Sequence, residues 1–449
     1  MTYPHPTLGW TLDRIAEGVG GVLVGDGGVV VDRVATDSRG ELAGALFVAI
    51  SGEQFDGHTF ASAAVAGGAS AAVVSRSKGS DAVPRIEVDD TGDALLALAA
   101  MRRDELTMPV VAITGSTGKT STKDLVASGI PGAWASPRSY NNEVGVPLTV
   151  LSTPSDASVL VLEVGSRGSG HITWLAPAIK PDVAVITNLG VVHLETFGSE
   201  EGLALAKSEL VALLSEDGVY VVPNDESRIR GRSGAKQITF GSSGADVAVR
   251  SVGLDHLGRA SITLDADDRS FAVDLAMSGE HQALNAAAAV GVAVALGLDL
   301  GAFIAGMATA TGSAWRMDVH EGQFTVVNDA YNANPQSVEA ALRTVAAMAG
   351  NQKVAVLGPM AELGVVCEQE HARIGVLAHT LGFAAVVVVG ADHGYARDAS
   401  AIIANATDLG VAADTLLSIV QPGDVVLVKA SRSAGLEALA FDLVKEAST

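Results

Sequence analysis

A short glycine-rich segment could hold the phosphates of a nucleotide. Residues 109–122 read PVVAITGSTGKTST, an apolar run that ends in a Gly/Ser/Thr loop. Glycines let backbone N–H groups approach phosphate oxygens, while a lysine neutralises them and a threonine hydroxyl can bind Mg²⁺. The full pattern has a glycine six residues before the lysine, where this chain has Ile113, so the loop is a shortened form. A turn that merely contains a lysine is the alternative. The predicted phosphate-binding residues are Gly115, Ser116, Thr117, Gly118, Lys119, Thr120 and Ser121.

Further polar side chains follow apolar runs that are typical of buried strands. Glu163 ends the run SVLVLE, and Asn188 and His193 follow the run DVAVIT. In open α/β sheets, ligands bind beyond the carboxyl ends of the strands. A carboxylate and an imidazole near Thr120 would suit a metal that bridges phosphates, although Mg²⁺ prefers oxygen ligands. Taken alone, Glu163 and His193 could equally be capping or surface residues.

One lysine falls on an apolar helix face. In LALAKSELVALL, Leu203, Lys207, Leu210 and Leu214 are spaced by four, three and four residues, which places them on one side of a helix. An unpaired ammonium on an inward face is costly. A lysine that extends its amine to the helix edge is one interpretation. The other is a lysine held at a site, either paired with an anion or converted to a carbamate.

The last third of the chain has two dense polar stretches. Residues 328–335 read NDAYNANP, shortly after Arg316, and residues 429–433 read KASRS. Clusters of Asn, Asp and Pro after a strand often form only turns and helix caps. Four polar residues with an interleaved Tyr331 exceed what a cap requires, so these stretches favour a binding role.

The alternation of strand-like and helical segments predicts an α/β protein of three domains. We expect a small α/β domain over 1–107, a central parallel-sheet domain with the phosphate loop over 108–312, and a Rossmann-like doubly wound domain over 313–449. The segment 245–277 alternates as an antiparallel ribbon, and 281–296 reads as a buried helix. In the last domain, helices are predicted at 336–349, 368–381, 397–405, 412–419 and 434–446.

Composition narrows the class of protein. The 449 residues carry a formal charge of −22 and are 48% hydrophobic, which indicates a globular chain and disfavours nucleic acid or an anionic membrane as partner. A single cysteine, Cys367, excludes a disulfide framework and a cysteine zinc site. The first residues show no basic segment followed by an apolar segment, so we expect no signal peptide. The apolar stretch 286–298 is too short to span a bilayer. We therefore expect a cytoplasmic, monomeric protein without membrane insertion.

Together these segments resemble the Mur ligase family, the ATP-dependent amide-forming ligases of bacterial peptidoglycan synthesis. TGSTGKTSTK, SYNNEVGVPLT, LEVGSRGSGHI, TNLGVVHLETFGS and AKSEL follow the family's central domain in order, and DSR and GEQFDGHTF resemble its UDP-sugar-binding domain. Within the family, NNEVGVPLT, NDAYNANP and LGPMAELG look most like the member that joins D-alanyl-D-alanine to UDP-N-acetylmuramoyl-tripeptide. Asn328, Pro359 and Ala430 depart from residues that are common there.

The resemblance implies roles for individual residues. Lys119, His193 and Lys207 would be catalytic, with Lys207 carbamylated. The implied Mg²⁺ site comprises Thr120, Glu163, His193 and the Lys207 carbamate. Beyond the loop, the implied ATP contacts are Asn285, Arg316, Asp329 and Tyr331. The implied UDP-substrate residues are Ser38, Arg39, Asp56, Gly57, His58, Asn141 and Asn142. The implied dipeptide residues are Asn332, Asn334, Lys429, Ser431 and Arg432.

The implied reaction forms an acyl phosphate from ATP and a substrate carboxylate, which the amine of the dipeptide then attacks. Two alternatives lie within the superfamily. One is the ligase that adds a diamino acid, and the other is a folylpolyglutamate synthase, which the amino-terminal domain disfavours. A different class is a P-loop ATPase or regulatory nucleotide-binding module without ligase activity.

Overall fold

The computed structural model describes residues 7–52, 55–78, 81–82, 84–190, 197–361, 363–390, 394–395 and 402–448. In the amino-terminal part, the strands are β1 (Trp10–Thr11), β2 (Val22–Val24), β3 (Val30–Val31), β4 (Arg33–Ala35), β5 (Ala45–Val48), β6 (Ala71–Ser75) and β7 (Arg85–Val88). The helices are α1 (Leu12–Gly18), α2 (Ala61–Ala66) and α3 (Thr91–Glu105). Strands β4 to β7 are parallel, β2 runs antiparallel at the edge beside β7, and β1 pairs with β3.

The central part is built on one large sheet. Its strands are β8 (Val110–Thr114), β9 (Ala133–Ala135), β10 (Val159–Glu163), β11 (Val183–Ile186), β12 (Val219–Pro223), β13 (Lys236–Gly241), β14 (Val247–Leu254), β15 (Arg259–Ala266) and β16 (Arg269–Ser278). Its helices are α4 (Lys119–Gly129), α5 (Gly145–Leu151), α6 (His171–Ile179), α7 (Glu200–Ala212), α8 (Gln282–Ala295) and α9 (Leu300–Met307). The order is β16-β15-β14-β13-β12-β11-β8-β10-β9, parallel from β9 to β14. Strands β14 to β16 form the antiparallel ribbon that the sequence predicts.

The carboxy-terminal part is a second doubly wound unit. Its strands are β17 (Asp318–His320), β18 (Thr325–Asp329), β19 (Lys353–Leu357), β20 (Ala385–Val389), β21 (Ile402–Ala406) and β22 (Val425–Lys429). Its helices are α10 (Pro335–Ala347), α11 (Cys367–Thr380), α12 (Leu409–Ile419) and α13 (Glu437–Ala447). The order is β17-β18-β22-β19-β20-β21, with only β17 antiparallel.

One predicted helix of this unit is wrong. Of the helix expected at 397–405, residues 397–401 lie outside the described residues, and residues 402–405 belong to β21, which pairs in parallel with β20 at the sheet edge. The backbone groups of β21 complete a ladder with a neighbouring strand instead of a helix. Helix α12 also begins earlier than predicted, because Asp408 accepts a hydrogen bond from the Val411 N–H at its amino terminus.

Helix α3 joins the amino-terminal part to the central part. It packs against α5 and α6, and one buried apolar cluster includes side chains from all three helices. Arg102 donates to the Thr153 carbonyl at 2.7 Å, and Arg103 donates to the carbonyls of Ile179 and Lys180 at 3.1 and 2.9 Å. These contacts fix the first sheet against the central one. Within the described ranges, no helix is both long and apolar enough to cross a membrane.

Candidate active site

The glycine-rich loop lies between β8 at the centre of the large sheet and the first residue of α4. Gly115 and Gly118 both have positive φ, 143° and 79°, a region in which side chains are rarely tolerated. A Cβ atom at Gly115 would clash with the Thr187 hydroxyl, and one at Gly118 with the Asn285 amide oxygen. The loop therefore requires glycine at these two positions, and its backbone runs directly into a helix amino terminus, where anions bind favourably.

Residues that follow β11 hold the loop in place. The Asn188 amide oxygen accepts hydrogen bonds from the N–H groups of Ser116 and Thr117 at 3.1 and 2.8 Å. The Thr187 hydroxyl donates to the Thr117 carbonyl at 2.5 Å. Because β11 is the parallel neighbour of β8, the ends of the two strands meet at one edge. The loop is thus preorganised by protein contacts.

Lys119 bends back over the loop. Its Nζ donates to the carbonyls of Gly115 and Ser116 at 2.7 and 3.2 Å. Burial lowers the pKa of Lys119, and the nearby Glu163 carboxylate opposes that shift. The amine lies within the loop that the sequence assigns to phosphates.

Thr120 and Glu163 lie next to each other, as the sequence predicts. The Thr120 hydroxyl donates to Glu163 Oε2 at 2.9 Å, and Asn141 donates to Oε1 at 2.6 Å. Glu163 is buried at the end of β10, the other neighbour of β8. Asn141 therefore lies in the same cleft as the loop. His193 lies outside the described residues.

Lys207 lies on the inward face of α7, as its spacing predicts. Its side chain is 3% exposed, between the buried Leu203 and Leu210. Its Nζ lies 5.8 Å from the centroid of the Phe197 ring, and within the described part of the chain it makes no hydrogen bond or ion pair. Burial, together with the positive charge of Lys119, places the pKa of Lys207 well below its ordinary value. A neutral amine is the form that can react with carbon dioxide to give a carbamate.

The far side of the cleft is formed by the ends of β18 and β22. Asp329 and Lys429 are register partners, and Lys429 Nζ lies 2.5 Å from Asp329 Oδ2 and 2.9 Å from the Asn332 carbonyl. The other Asp329 oxygen accepts from the Met317 N–H at 3.1 Å. Asp329 and Lys429 thus bind each other, and Asp329 also binds the chain at Met317, just before β17.

Arg316 connects the two sheets. Its Nη2 donates to the Ser139 hydroxyl at 3.0 Å, and its guanidinium lies 4.2 Å from the Tyr331 ring centroid. Arg432 lies 4.5 Å from the centroid of the Trp315 ring. Trp315 and Met317 have positive φ, 64° and 50°. Such left-handed backbone is strained for residues other than glycine, so the chain on both sides of Arg316 is held by its surroundings.

A cavity of about 730 Å³ lies between these two walls. Asn285 is on its rim and receives a hydrogen bond from Thr122 at 3.5 Å. Of the predicted dipeptide residues, Asn334 caps α10, and Ser431 is buried and accepts from the Ala361 N–H at 2.9 Å. The predicted residues that line this cavity outside the loop are Asn141, Glu163, Asn285, Arg316, Asp329, Tyr331, Asn332, Asn334, Lys429 and Arg432.

A second cavity of about 1250 Å³ lies between the first sheet and the central part. His58 lines it, and its Nδ1 lies 2.7 Å from Asp56 Oδ1. Gly57 is the first residue of the short 3-10 helix Gly57–Phe60, which Asp56 caps. Lys78 also lines the cavity and lies 2.5 Å from Asp56. Sequence reasoning missed Lys78, which comes from a loop without a motif.

Four residues predicted to face the UDP-substrate, Ser38, Arg39, Asn141 and Asn142, do not line the second cavity. Arg39 is exposed and paired with Asp37 at 2.7 Å. Asn142 accepts from the Val144 and Gly145 N–H groups at the start of α5. It lines a third cavity, of about 520 Å³, where all three parts of the chain meet. Asp37, Trp315 and Arg432 also line this cavity.

Comparisons with known proteins agree with this architecture. Three family models match: "Mur ligase family, catalytic domain" over 30–103, "Mur ligase middle domain" over 113–293, and "Mur ligase, glutamate ligase domain" over 315–432. The chain belongs to the Mur ligase family. The resemblance and the α/β fold class expected from the sequence are thereby confirmed.

Relatives within the Mur ligase family are similar over nearly their whole length. The UDP-N-acetylmuramoyl-tripeptide–D-alanyl-D-alanine ligase of Mycobacterium tuberculosis is 35% identical, with 97% of this chain and 98% of that protein covered. A crystal structure of MurF from Acinetobacter baumannii matches with a TM-score of 0.89 at 30% identity, over 98% and 100% of the two chains. MurF of Thermotoga maritima, solved in complex with ADP, matches with a TM-score of 0.82 at 30% identity, over 92% and 97%.

Proposed function

We propose that this chain is an ATP-dependent ligase that joins D-alanyl-D-alanine to UDP-N-acetylmuramoyl-tripeptide through an acyl phosphate. The single observation that carries the proposal is the match, along nearly the whole chain, to relatives named for that reaction. The cavity that the glycine-rich loop lines shares residues with each of the other two cavities, which suits a reaction with a nucleotide, a large UDP-linked acceptor and a small amine. The proposal places this step of peptidoglycan synthesis in the cytoplasm.

In the first step, an oxygen of the acceptor carboxylate forms a bond to the γ-phosphorus of ATP. The bond from that phosphorus to the bridging oxygen breaks, and ADP leaves. Such phosphoryl transfer depends mainly on alignment and charge neutralisation. The backbone N–H groups of the loop and the ammonium of Lys119 would supply both, since Asn188 already holds the loop in shape. Asn285, Arg316 and Tyr331 would contact ATP from the walls of the cleft.

The residues present fit a magnesium ion. A Thr120 hydroxyl and a Glu163 carboxylate lie 2.9 Å apart, and both offer the oxygen atoms that Mg²⁺ prefers. Within the described ranges, no cluster of three or more His, Cys, Asp or Glu side chains could hold a metal. In nucleotide sites Mg²⁺ is commonly bound by one or two carboxylates together with substrate phosphates. Bound there, the ion would neutralise phosphate charge. His193 stays a proposed ligand outside the described residues.

Lys207 would add negative charge as a carbamate. Its amine is buried without a partner among the described residues, and burial and the charge of Lys119 hold its pKa well below the ordinary value. Carbamylation would convert it to an anion that attracts the Lys119 ammonium and completes the set of oxygen ligands. This is the same role that the resemblance implies for the residue.

In the second step, the amine nitrogen of the dipeptide forms a bond to the acyl carbon. Phosphate leaves with the electrons of the broken carbon–oxygen bond, and the amine loses a proton to solvent. An acyl phosphate that is open to water would be hydrolysed, so a site enclosed between two sheets has a clear purpose. The cavity of about 730 Å³ beside the glycine-rich loop is called the nucleotide cavity below. We place the dipeptide near Arg432, which lines both the nucleotide cavity and the third cavity. Lys429 would support this site through Asp329 and Asn332.

Phosphate release with each combination of substrates tests the function. We expect release from ATP to require both UDP-N-acetylmuramoyl-tripeptide and D-alanyl-D-alanine, with one dipeptide joined per phosphate. Release that does not depend on the dipeptide would favour a P-loop ATPase. Release with UDP-N-acetylmuramoyl-dipeptide and a free diamino acid would favour the diamino-acid-adding ligase. Either result would reject the proposal.

A further inference from the structure

Arg167 lies where the cavity beside the glycine-rich loop meets the cavity beside the first sheet. It belongs to the connection between β10 and α6, which also follows the buried Glu163. Of the residues the structure describes, it alone lines both the nucleotide cavity and the cavity of the first sheet. Its side chain is 66% exposed. A group that passes from one cavity to the other therefore meets a guanidinium.

The arginine is held in place from two sides. Its Nη1 lies 2.6 Å from Glu143 Oε1, and its backbone N–H donates to His171 Nδ1 at 3.2 Å. His171 is the first residue of α6 and stacks against Trp174. Nε and Nη2 of Arg167 make no hydrogen bond to any residue with described coordinates. One edge of the guanidinium is thus fixed by Glu143, and the other can bind a ligand.

We propose that Arg167 binds the carboxylate of the acceptor peptide that is to be phosphorylated. This inference rests on the proposed function, since that reaction brings a carboxylate from the UDP-substrate cavity to the γ-phosphate. A guanidinium binds a carboxylate through two parallel hydrogen bonds, which fixes orientation as well as position. It also offsets the repulsion between the incoming carboxylate and the phosphates. Arg167 stays charged throughout, and no proton moves through it.

A purely structural ion pair predicts a different behaviour. Exposed arginine–glutamate pairs contribute little to stability, because water and salt screen them. If Arg167 only paired with Glu143, its removal would leave substrate affinity nearly unchanged. If it binds the acceptor, the loss should depend on the chemical form of one substrate group. The two possibilities therefore separate in a binding measurement.

The test pairs a protein variant with a substrate variant. Calorimetry without ATP would measure the affinity of the wild type and of Arg167→Gln for UDP-N-acetylmuramoyl-tripeptide and for its terminal carboxamide. We expect the wild type to prefer the carboxylate by on the order of tenfold to a hundredfold, the usual worth of a hydrogen bond to a charged group. Arg167→Gln should bind the carboxylate that much more weakly and should not discriminate between the two forms. Arg167→Lys keeps the positive charge but cannot donate two parallel hydrogen bonds. Its affinity for the carboxylate form should lie between those of the wild type and Arg167→Gln.

Arg343→Gln is the matched control. Arg343 is 53% exposed and paired with Glu339 at 2.9 Å, and it lines none of the three cavities. It should bind both substrate forms like the wild type. A second variant, Glu143→Gln, leaves the guanidinium but removes its holder, so it should lose part of the preference. An unchanged KM for ATP in Arg167→Gln would show that the nucleotide site is intact.

Two outcomes would overturn the inference. If Arg167→Gln keeps the wild-type preference for the carboxylate, Arg167 does not bind that group. If it loses affinity for both forms equally, Arg167 acts on another part of the substrate. A wild type that binds neither form would instead overturn the proposed function, and the inference with it. The failure of one is therefore distinguishable from the failure of the other.

Discussion

Two lysines, one in the central part and one in the carboxy-terminal part, are similarly buried but differ in their partners. Lys207, on α7, is 3% exposed, and Lys429, at the end of β22, is 2% exposed. Burial lowers the pKa of both. For Lys429 the carboxylate of Asp329 opposes the shift and binds the amine at 2.5 Å. For Lys207 the charge of the Lys119 ammonium adds to the shift, and the Glu209 carboxylate opposes it less strongly.

The comparison teaches that burial alone does not reveal what a lysine does. A paired lysine such as Lys429 joins two strand ends that are 100 residues apart in the chain. A buried lysine without a partner among the described residues, such as Lys207, is costly for the fold, so its place calls for a reason outside stability. We therefore expect substitution of Lys429 to affect folding and substitution of Lys207 to affect chemistry.

The largest effect is expected for Lys429→Met. Removing the amine leaves Asp329 buried without its cation, which costs about 3–5 kcal/mol in the free energy of unfolding. Urea denaturation followed by circular dichroism would measure it. The double variant Asp329→Asn, Lys429→Met should recover part of the loss, because no unpaired charge remains. A single variant as stable as the wild type would show that the ion pair does not hold the strand ends.

Lys207→Ala should affect turnover next most strongly. Loss of a group that stabilises transferred charge lowers kcat by on the order of 10²-fold to 10³-fold. Acetate or another short carboxylic acid should restore part of the rate, because it returns a carboxylate to the space of the carbamate. Lys207→Arg, which cannot be carbamylated, is the matched control and should not be rescued. Full activity of Lys207→Ala would exclude the carbamate.

Much of the central part could be predicted from local pattern. The glycine loop between an apolar run and a helix, the apolar face of α7 and the antiparallel ribbon all depend on residues close together in sequence. Their periodicity reports burial directly. The wrong helix at 397–405 shows the limit of this reasoning, since β21 depends on hydrogen bonds to a strand that no local pattern reveals.

Contacts between distant strands could not be predicted in this way. The pairing of Asp329 with Lys429 follows from the register of β18 and β22. The hydrogen bond from Asn141, a predicted UDP-substrate residue, to Glu163 likewise follows from the position of the β10 strand end. Arg167 has no pattern at all, because an exposed arginine in a glycine-rich connection looks like any surface residue. Its position between two cavities exists only in the folded chain.

The smallest expected effect is a change in the free energy of unfolding, which should have opposite signs for the two lysines. Lys207→Met should raise the free energy of unfolding by about 1–3 kcal/mol at pH 7 in buffer free of carbon dioxide, because it removes a buried amine without a described partner. Lys429→Met should lower it. The pKa of Lys207 is lower in the folded protein than in the unfolded chain, so unfolding takes up a proton at pH values between the two. Wild-type stability therefore rises with pH in that range, up to the ordinary lysine pKa of about 10.4.

The advantage of Lys207→Met over the wild type should accordingly shrink as the pH is raised from 7 towards 10. Titrating groups that do not interact with Lys207 cancel in the difference between the two unfolding curves, which reports Lys207 and the groups coupled to its charge, such as His171. Denaturation at several pH values, with carbon dioxide excluded, would measure it. A variant that is less stable than the wild type at pH 7 would mean that Lys207 has a partner in the folded state. In that case Lys207 and Lys429 would be alike, each held by a partner that stabilises the fold.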